Sequence, residues 1–394
     1  MNLQFNFVAD RIVRSKAYPA FAQHCADPYT PEWRQFVQHW PNTVPVELHE
    51  HCVTHNFPHN LYSIDNYPPG SYYTIGLGFF NFFINYFGLF PIPVQQQLRS
   101  GNLKVLFYYH EGDNPYRIKE ALDKQCRSYQ LPIECYRFIS GNTAADNIPG
   151  FAYFPDHELL YWHRNRKVLA PPINTHSRRR IFTALSRTHK WWRATVMADL
   201  VRNRLLYNSY WSYNTDVAIN EPLKDNPIEV DTLNIRSSID EFLNGAPYTC
   251  DSQTSDQHND HSMVETDHYD DSYCNIVLET HYDADQSGGA FLTEKTFKPI
   301  KYGQPFVIVG AAGSLAALRK LGYRTFDHAI DNRYDSIQNN TQRWQKTLQA
   351  IQEIQQQDMH LWFKQCLDDV KHNQQLFLSS KRTRLNSLLE RLHD

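Results

Sequence analysis

The sequence lacks a strong excess of either charge. Its 394 residues contain 39 Lys and Arg against 42 Asp and Glu, which gives a formal net charge of −3. A protein whose main role is to coat nucleic acid carries a basic surplus that attracts phosphates. The balanced charge therefore disfavours that class of protein.

Paired cysteines and a targeting signal are also missing. The seven cysteines include no CxxC pair and are dispersed over positions 25, 52, 126, 135, 250, 274 and 366. An odd, dispersed set predicts free thiols and a reducing compartment. The first six residues contain neither a basic n-region nor an apolar h-region. We therefore expect no secretory signal and a cytoplasmic location.

Long apolar runs are rare, and only residues 72–90 raise the question of a membrane span. This run is rich in aromatics and has a length that could cross a bilayer. The glycines and asparagines inside it, with Pro91 and Pro93 behind it, argue against insertion. We expect no transmembrane segment and predict a buried or interdomain helix, with peripheral membrane contact as the alternative.

The first half of the chain predicts an α/β layer. Residues 104–109 have the composition of a buried strand, and Pro115 is well placed to open a helix over 116–129. Another strand is expected over 133–139. The alternation of strand, helix and strand is typical of a parallel sheet covered by helices.

The loop after the strand at 104–109 contains two candidate catalytic carboxylates. Glu111 and Asp113 lie where the carboxyl ends of parallel strands form a crevice. Glu111 closely follows the strand, so we rank it first as a general base. Asp113 follows Gly112 and can instead cap the next helix. The alternative is that the loop is only a polar turn with a helix cap.

A second α/β unit begins after a Pro-rich linker at 169–177. A strand is predicted over 181–185 and a helix over 191–206. Basic residues occupy the turn between them, including Arg187 and Lys190, and Ser186 or Thr188 is placed to cap the helix. Arg187 is the first candidate for a phosphate contact, since a guanidinium donates two parallel hydrogen bonds to a diphosphate. For Lys190 and Arg193 a solvated helix start is the favoured interpretation.

The clearest pattern in the chain runs from 275 to 326. Short buried strands are predicted at 276–278 and 306–309. Thr293 is placed to cap a helix that begins at Glu294, and Gly303 to end it. Ser314 is placed to cap a second helix. This order predicts parallel strands with a ligand at their carboxyl ends.

The chemistry of this unit suits a nucleoside diphosphate. A helix N-terminus favours phosphate, and Lys295 in the first turn adds a full charge. Glu294 can accept hydrogen bonds from two ribose hydroxyls, and Glu279 ends the preceding strand. The alternative is that Glu294 only favours the helix dipole, with Lys298 as its i,i+4 partner.

Residues 275–279 and 291–310 resemble the donor-binding segment of the α1,3-fucosyltransferase-like glycosyltransferases. The second stretch reads Phe-Leu-Thr-Glu-Lys-Thr-Phe-Lys-Pro-Ile-Lys-Tyr-Gly-Gln-Pro-Phe-Val-Ile-Val-Gly. It also resembles a related group of phage and bacterial proteins, and the similarity is best over about 175–345. The resemblance implies that Glu294 and Lys295 contact ribose and phosphates and that Arg187 binds phosphate. In the basic turn after the strand at 181–185, those phage and bacterial relatives usually have Asn and His where this chain has Ser186 and Trp192.

Together these patterns predict two Rossmann-like domains that face each other across a cleft, the GT-B arrangement. Residues 1–170 would bind the acceptor, 178–345 the nucleotide sugar, and 346–394 would form helices that pack on or bridge the domains. The expected enzyme is a glycosyltransferase that moves a sugar from a nucleotide-diphosphate sugar to a hydroxyl of a glycan or other acceptor. The resemblance implies an inverting reaction without a metal and suggests a GDP-linked donor, with no further cofactor. The alternatives are a glycosyltransferase that acts on nucleic-acid bases and a non-catalytic nucleotide- or glycan-binding protein.

One polar segment, 251–271, fits none of these elements. It has almost no apolar residues, so we expect a surface insertion. His258, His261 and His268 could bind a metal, but their spacing fits no standard site. We therefore predict no metal centre.

Overall fold

The structure is a computed structural model that describes residues 4–9, 46–77, 80–90, 92–159, 170–215, 226–250 and 266–393. The chain divides into two compact units, each with its own parallel sheet. Unit 1 comprises Met1–His163 and Ser380–Asp394, and unit 2 comprises Arg164–Ser379. The expected α/β class with parallel sheets is confirmed. The segment 346–394, expected to pack on or bridge the domains, is divided between the units at Ser380.

The sheet of unit 1 has six parallel strands in the order β2-β1-β3-β4-β5-β6. They are β1 (Phe5–Ala9), β2 (His59–Ser63), β3 (Ser71–Leu77), β4 (Leu103–Tyr109), β5 (Tyr136–Ser140) and β6 (Phe151–Tyr153). The helices that precede unit 2 are α1 (Val46–Thr54), α2 (Ile92–Arg99) and α3 (Pro115–Ser128). The strands β3 and β4 are buried along nearly their whole length, as expected for parallel strands covered on both faces.

The helix predicted over 72–90 is wrong. Residues 71–77 form β3, and among the described residues of this run the only helical turn is the 3₁₀ helix Phe87–Leu89. A strand buried on both faces reads as a continuous apolar run, and periodicity cannot separate it from a buried helix. No helix among the residues that the structure describes combines the length and apolar character needed to cross a bilayer.

The sheet of unit 2 has four parallel strands in the order β10-β9-β7-β8. They are β7 (Arg180–Ser186), β8 (Tyr210–Tyr213), β9 (Ser272–Leu278) and β10 (Phe306–Val309). The helices up to β10 are α4 (Trp191–Arg202), α5 (Val230–Leu233), α6 (Arg236–Gly245), α7 (Thr266–Asp270), α8 (Ala284–Ser287) and α9 (Glu294–Lys301). The predicted strands at 276–278 and 306–309 and the predicted helix start at Glu294 are confirmed.

Three long helices follow the sheet of unit 2 along the chain, after the shorter α10 (Ser314–Lys320). They are α11 (Asn340–Gln355), α12 (Met359–Ser379) and α13 (Lys381–His393). Four leucines of α13 join the core of unit 1 beside Phe5 and Phe7, so the chain returns at its end to its first unit.

Several local predictions are wrong, and at α10 a distant group replaces the local cap. The N-terminus of α10 is not capped by Ser314, since Asp335 accepts from the amides of Leu315 and Ala316 at 2.9 Å. Neither Ser186 nor Thr188 caps α4, whose N-cap residue is Lys190. The strand expected over 133–139 begins later, because residues 133–135 form a 3₁₀ turn before β5.

Candidate functional site

Three basic side chains converge at the carboxyl edge of the unit 2 sheet, on the loop that follows β9. Lys190 Nζ donates to the carbonyl oxygen of Thr280 at 2.9 Å, and Lys295 Nζ donates to the Thr280 hydroxyl at 3.4 Å. The Arg193 guanidinium donates to the carbonyl oxygen of Glu279 at 2.6 Å. We call Lys190, Arg193 and Lys295 the basic cluster.

The topology explains why these residues meet. The strand after β7 in the chain, β8, lies on one side of β7, and the next strand, β9, lies on the other. The chain thus leaves β7 toward β8 on one side and leaves β9 toward β10 on the other. Because these two connections diverge, a crevice forms at the carboxyl ends of β7 and β9. Lys190 and Arg193 lie at the start of α4, which follows β7, and Lys295 lies in the first turn of α9. The predicted cap of α9 is confirmed, because the Thr293 hydroxyl accepts from the Lys295 amide.

Arg193 donates to the neutral carbonyl oxygens of Thr188, Leu278 and Glu279, and these bonds do not neutralise its positive charge. Arg193 is only 3% exposed, which overturns the solvated interpretation of this residue. Burial lowers the pKa of Arg193 to about 10, and the nearby carboxylates of Glu279 and Glu294 oppose that shift. The guanidinium thus stays charged at neutral pH inside the protein.

The pKa of His281 reflects the electrostatic potential of the basic cluster. Burial first, and then the charges of Lys190, Arg193 and Lys295, lower its pKa to about 4. The imidazole is therefore neutral at pH 7. A position where three cations oppose a proton is one where an anion is stabilised.

Glu279 supports the site rather than lining it. Its carboxylate is fully buried and accepts from the amides of Thr280 and Thr293 and from the hydroxyls of Thr293 and Thr296. These bonds tie the end of β9 to the first turn of α9. The expected place of Glu279 at the strand end is confirmed, but its oxygens face protein donors.

Of the other predicted donor-site residues, Glu294 contacts the cluster. Glu294 is 4% exposed, and its Oε1 accepts from Lys295 Nζ at 2.8 Å. Lys298 lies half-buried one turn further along α9, and Arg187 directly follows β7 and is half-buried. The ribose contact of Glu294 and the phosphate contacts of Arg187 and Lys298 stay predictions.

Two buried polar atoms beside the cluster have no hydrogen-bond partner within the described residues. They are Ser186 Oγ, at the end of β7, and Arg193 Nε. Both side chains are at least 97% buried. Buried polar atoms are nearly always satisfied, so such a pair at a crevice is typical of a ligand or water position.

Unit 1 carries the predicted catalytic carboxylates in the loop after β4. Glu111 is 41% exposed, and its carboxylate lies 3.6 Å from His110 Nε2. Asp113 accepts from the Tyr109 hydroxyl at 2.5 Å. The helix cap suggested for Asp113 belongs instead to Asn114, whose side chain accepts from the first amides of α3.

A buried pair near this loop was not predicted from the sequence. His51 Nε2 lies 2.8 Å from Asp156 Oδ1, which also accepts from the Tyr108 hydroxyl. Burial would raise the pKa of Asp156, but the bond from His51 and the surrounding histidines outweigh it and hold this pKa well below its usual range. His51 lies in the stretch 41–70, which has no clear periodicity, and no sequence signal links it to Asp156.

No protein-family model matches this sequence, and no curated protein matches it. The resemblance to the fucosyltransferase-like enzymes therefore stays a prediction. Among the residues that the structure describes, no group of three or more His, Cys, Asp or Glu side chains could hold a metal ion. His258 and His261 lie outside those residues, and His268 lies on α7.

Proposed function

We propose that unit 2 binds the diphosphate of a nucleotide sugar and that the protein transfers the sugar to a hydroxyl acceptor. The observation that carries the proposal is the convergence of Lys190, Arg193 and Lys295 where β7 and β9 end. Crevices at such a position are where α/β sheets bind ligands. The convergence of three cations at this edge suits an anion.

The charge balance supports a diphosphate in particular. The basic cluster provides three positive charges, and the carboxylates of Glu279 and Glu294, which act on Arg193, provide two negative ones. The remaining excess suits the charge that develops on a departing nucleoside diphosphate. Because Lys190 and Arg193 are already held by protein carbonyls, they need little reorganisation, which is the condition for efficient electrostatic stabilisation of a leaving group.

The acceptor must lose a proton as its oxygen attacks the sugar. Glu111 is the carboxylate we propose as general base, because it is partly exposed and follows β4 directly. Asp113 is the second choice, since it is engaged by Tyr109. The resemblance extends the proposal to a GDP-linked donor and to an inverting reaction that needs no metal. A fold of this class does not by itself determine the sugar.

The proposal is tested by calorimetric titration of the full chain with GDP, UDP, ADP and TDP. We expect one of them to bind, and Lys190→Ala and Lys295→Ala each to weaken it by about 10- to 150-fold, the value of a lost charge-assisted contact. Lys320→Ala is the matched control, because this exposed lysine lies at the far end of α10. Equal affinity in all four proteins would remove the donor site from this edge of the sheet.

A second measurement separates an enzyme from a binding protein. Release of sugar from the nucleotide sugar with the preferred base indicates catalysis, whereas tight binding without turnover indicates the non-catalytic alternative. Retention on DNA that weakens steeply with salt would favour an enzyme acting on nucleic acid.

A further inference from the structure

A cavity of about 450 Å³ opens in unit 1 between the loop 80–86, which follows β3, and the polar face of α3. Its walls include Phe82, Phe83, Asn85, Arg117, Glu120 and Gln125. Phe83 is 84% exposed and Phe82 42% exposed. Adjacent phenylalanines at the mouth of a cavity add little to the core of the unit and are typical of a binding surface.

The loop that presents these rings is held in place by side-chain hydrogen bonds. The Phe83 amide donates to Asn81 Oδ1 at 2.8 Å, and the Asn81 amide donates to the Tyr86 hydroxyl at 3.0 Å. Asn85 Nδ2 donates to the Tyr129 hydroxyl at 2.7 Å. The aromatic rim is thus ordered in advance, which reduces the entropy lost when a ligand binds.

Gln125 points to a ligand with hydroxyl or amide donors. Its Nε2 donates to the carbonyl oxygen of Ile84 at 2.8 Å, which sets the orientation of the side-chain amide. Its Oε1 is buried and has no hydrogen-bond partner among the residues that the structure describes. Leaving a buried acceptor unsatisfied is costly, so a donor from a ligand or a water is needed at this wall.

The other polar side chains that line the cavity include charges of both signs. The Arg117 guanidinium lies 5.4 Å from the centre of the Phe82 ring. Glu120 and Lys124 follow on the same face of α3 at helical spacing. Cations and a carboxylate side by side disfavour a strongly charged ligand. They suit a neutral molecule whose groups both donate and accept hydrogen bonds.

We propose that this cavity binds a saccharide. The apolar face of a sugar ring would pack on Phe82 and Phe83, while its hydroxyls donate to Gln125 Oε1 and bond to Arg117 and Glu120. The volume lies within the range of about 300–1,000 Å³ usual for small-ligand sites. That the saccharide is the acceptor rests on the proposed function; its binding does not.

The test uses the labelled full chain on an array of defined oligosaccharides, followed by calorimetry with the best-retained glycan. We expect Phe83→Ala and the cavity-filling Ala121→Trp each to lower affinity by about tenfold or more, and Gln125→Ala by a similar factor. Tyr207→Ala is the matched control, since Tyr207 is a 92% exposed aromatic of unit 2. It should retain the glycan as the unchanged protein does.

Retention of no glycan, or equal retention by Ala121→Trp, would overturn the proposal. A second outcome would also overturn it: Phe83→Ala still binds the glycan but changes its oligomeric state or its binding to phosphatidylcholine vesicles. The rim would then serve self-association or a membrane surface. Nucleoside diphosphate titrations on the same preparations keep the two proposals apart. Glycan binding without diphosphate binding leaves the saccharide site standing and removes the donor site.

Discussion

The carboxyl edges of the two parallel sheets handle charge in different ways. In unit 1, Glu158 is fully buried and pairs with Arg384 at 2.8 Å and Lys381 at 3.7 Å. In unit 2, Lys190 and Arg193 donate to neutral carbonyl oxygens. The same sheet architecture thus pairs cations with a buried carboxylate to secure a helix of its own chain in one unit, and holds cations by backbone carbonyl oxygens in the other.

The largest expected effect comes from neutralising the buried carboxylates. Glu158→Gln should lower the free energy of unfolding by about 3–5 kcal/mol, because it leaves Arg384 and Lys381 without their buried counter-charge. Glu279→Gln should cost about 1–3 kcal/mol, because the carboxylate faces neutral donors and only an amide is left unsatisfied. Chemical denaturation measures both. An equal or larger cost for Glu279→Gln would contradict the distinction between the edges.

Glu111→Gln tests whether the unit 1 edge handles a proton. The substitution keeps size and hydrogen bonding but removes basicity, so transfer should fall by roughly 10²-fold. Affinity for the nucleoside diphosphate should not change, because that site belongs to unit 2. Initial rates and calorimetry separate the two effects, with Asp113→Asn as the companion variant. Transfer at the normal rate would place the base elsewhere.

Each unit contains a histidine whose pKa is lowered to about 4. Burial is the first cause for both His281 and His55. Between pH 6.5 and about 4 the unfolded chain binds a proton that the folded protein does not. Above pH 6.5 these histidines do not reduce the free energy of unfolding. As the pH falls from 6.5 to about 4, the free energy of unfolding decreases by at most about 1.4 kcal/mol per pH unit for each histidine.

Denaturation at pH 7, 6 and 5 should show a shallower pH dependence in His281→Gln and in His55→Gln. Pyrophosphate should distinguish them, because an anion beside His281 raises its pKa. The salt should therefore reduce the pH dependence of the unchanged protein and of His55→Gln, and have little effect on His281→Gln. An identical response of both variants to pyrophosphate would show that the anion does not bind beside His281.

The smallest effects concern two buried serines at strand ends. Ser140 Oγ, at the end of β5, accepts from the Asn142 amide at 3.1 Å, so Ser140→Ala should cost about 1–3 kcal/mol of stability. Ser186 Oγ, at the end of β7, has no partner within the described residues, so Ser186→Ala should change stability by less than about 1 kcal/mol while weakening diphosphate binding. Thermal denaturation and calorimetry provide the comparison. A large loss of stability in Ser186→Ala would show that its hydroxyl is structural.

Much of the fold could be predicted because its signals are local. The strand at 306–309 is an uninterrupted apolar run, and Thr293 caps α9 through an amide two residues away. The helices after 339 follow from apolar spacing. The approximate position of the proposed donor site followed from the same signals, since a helix start after a parallel strand lies at the edge where ligands bind.

The chemistry of that edge was decided by contacts between residues far apart in the chain. Arg193 was expected in solvent, but packing buries it against the carbonyl of Glu279, 86 residues away. The carboxylate of Asp335 replaces a local cap at α10 from 20 residues away. By itself, the sequence determined where elements such as β10 and α9 begin, because propensity and capping act within a few residues. Only the tertiary structure decided which partners each charged side chain meets, because pairing and desolvation depend on neighbours that local periodicity does not specify.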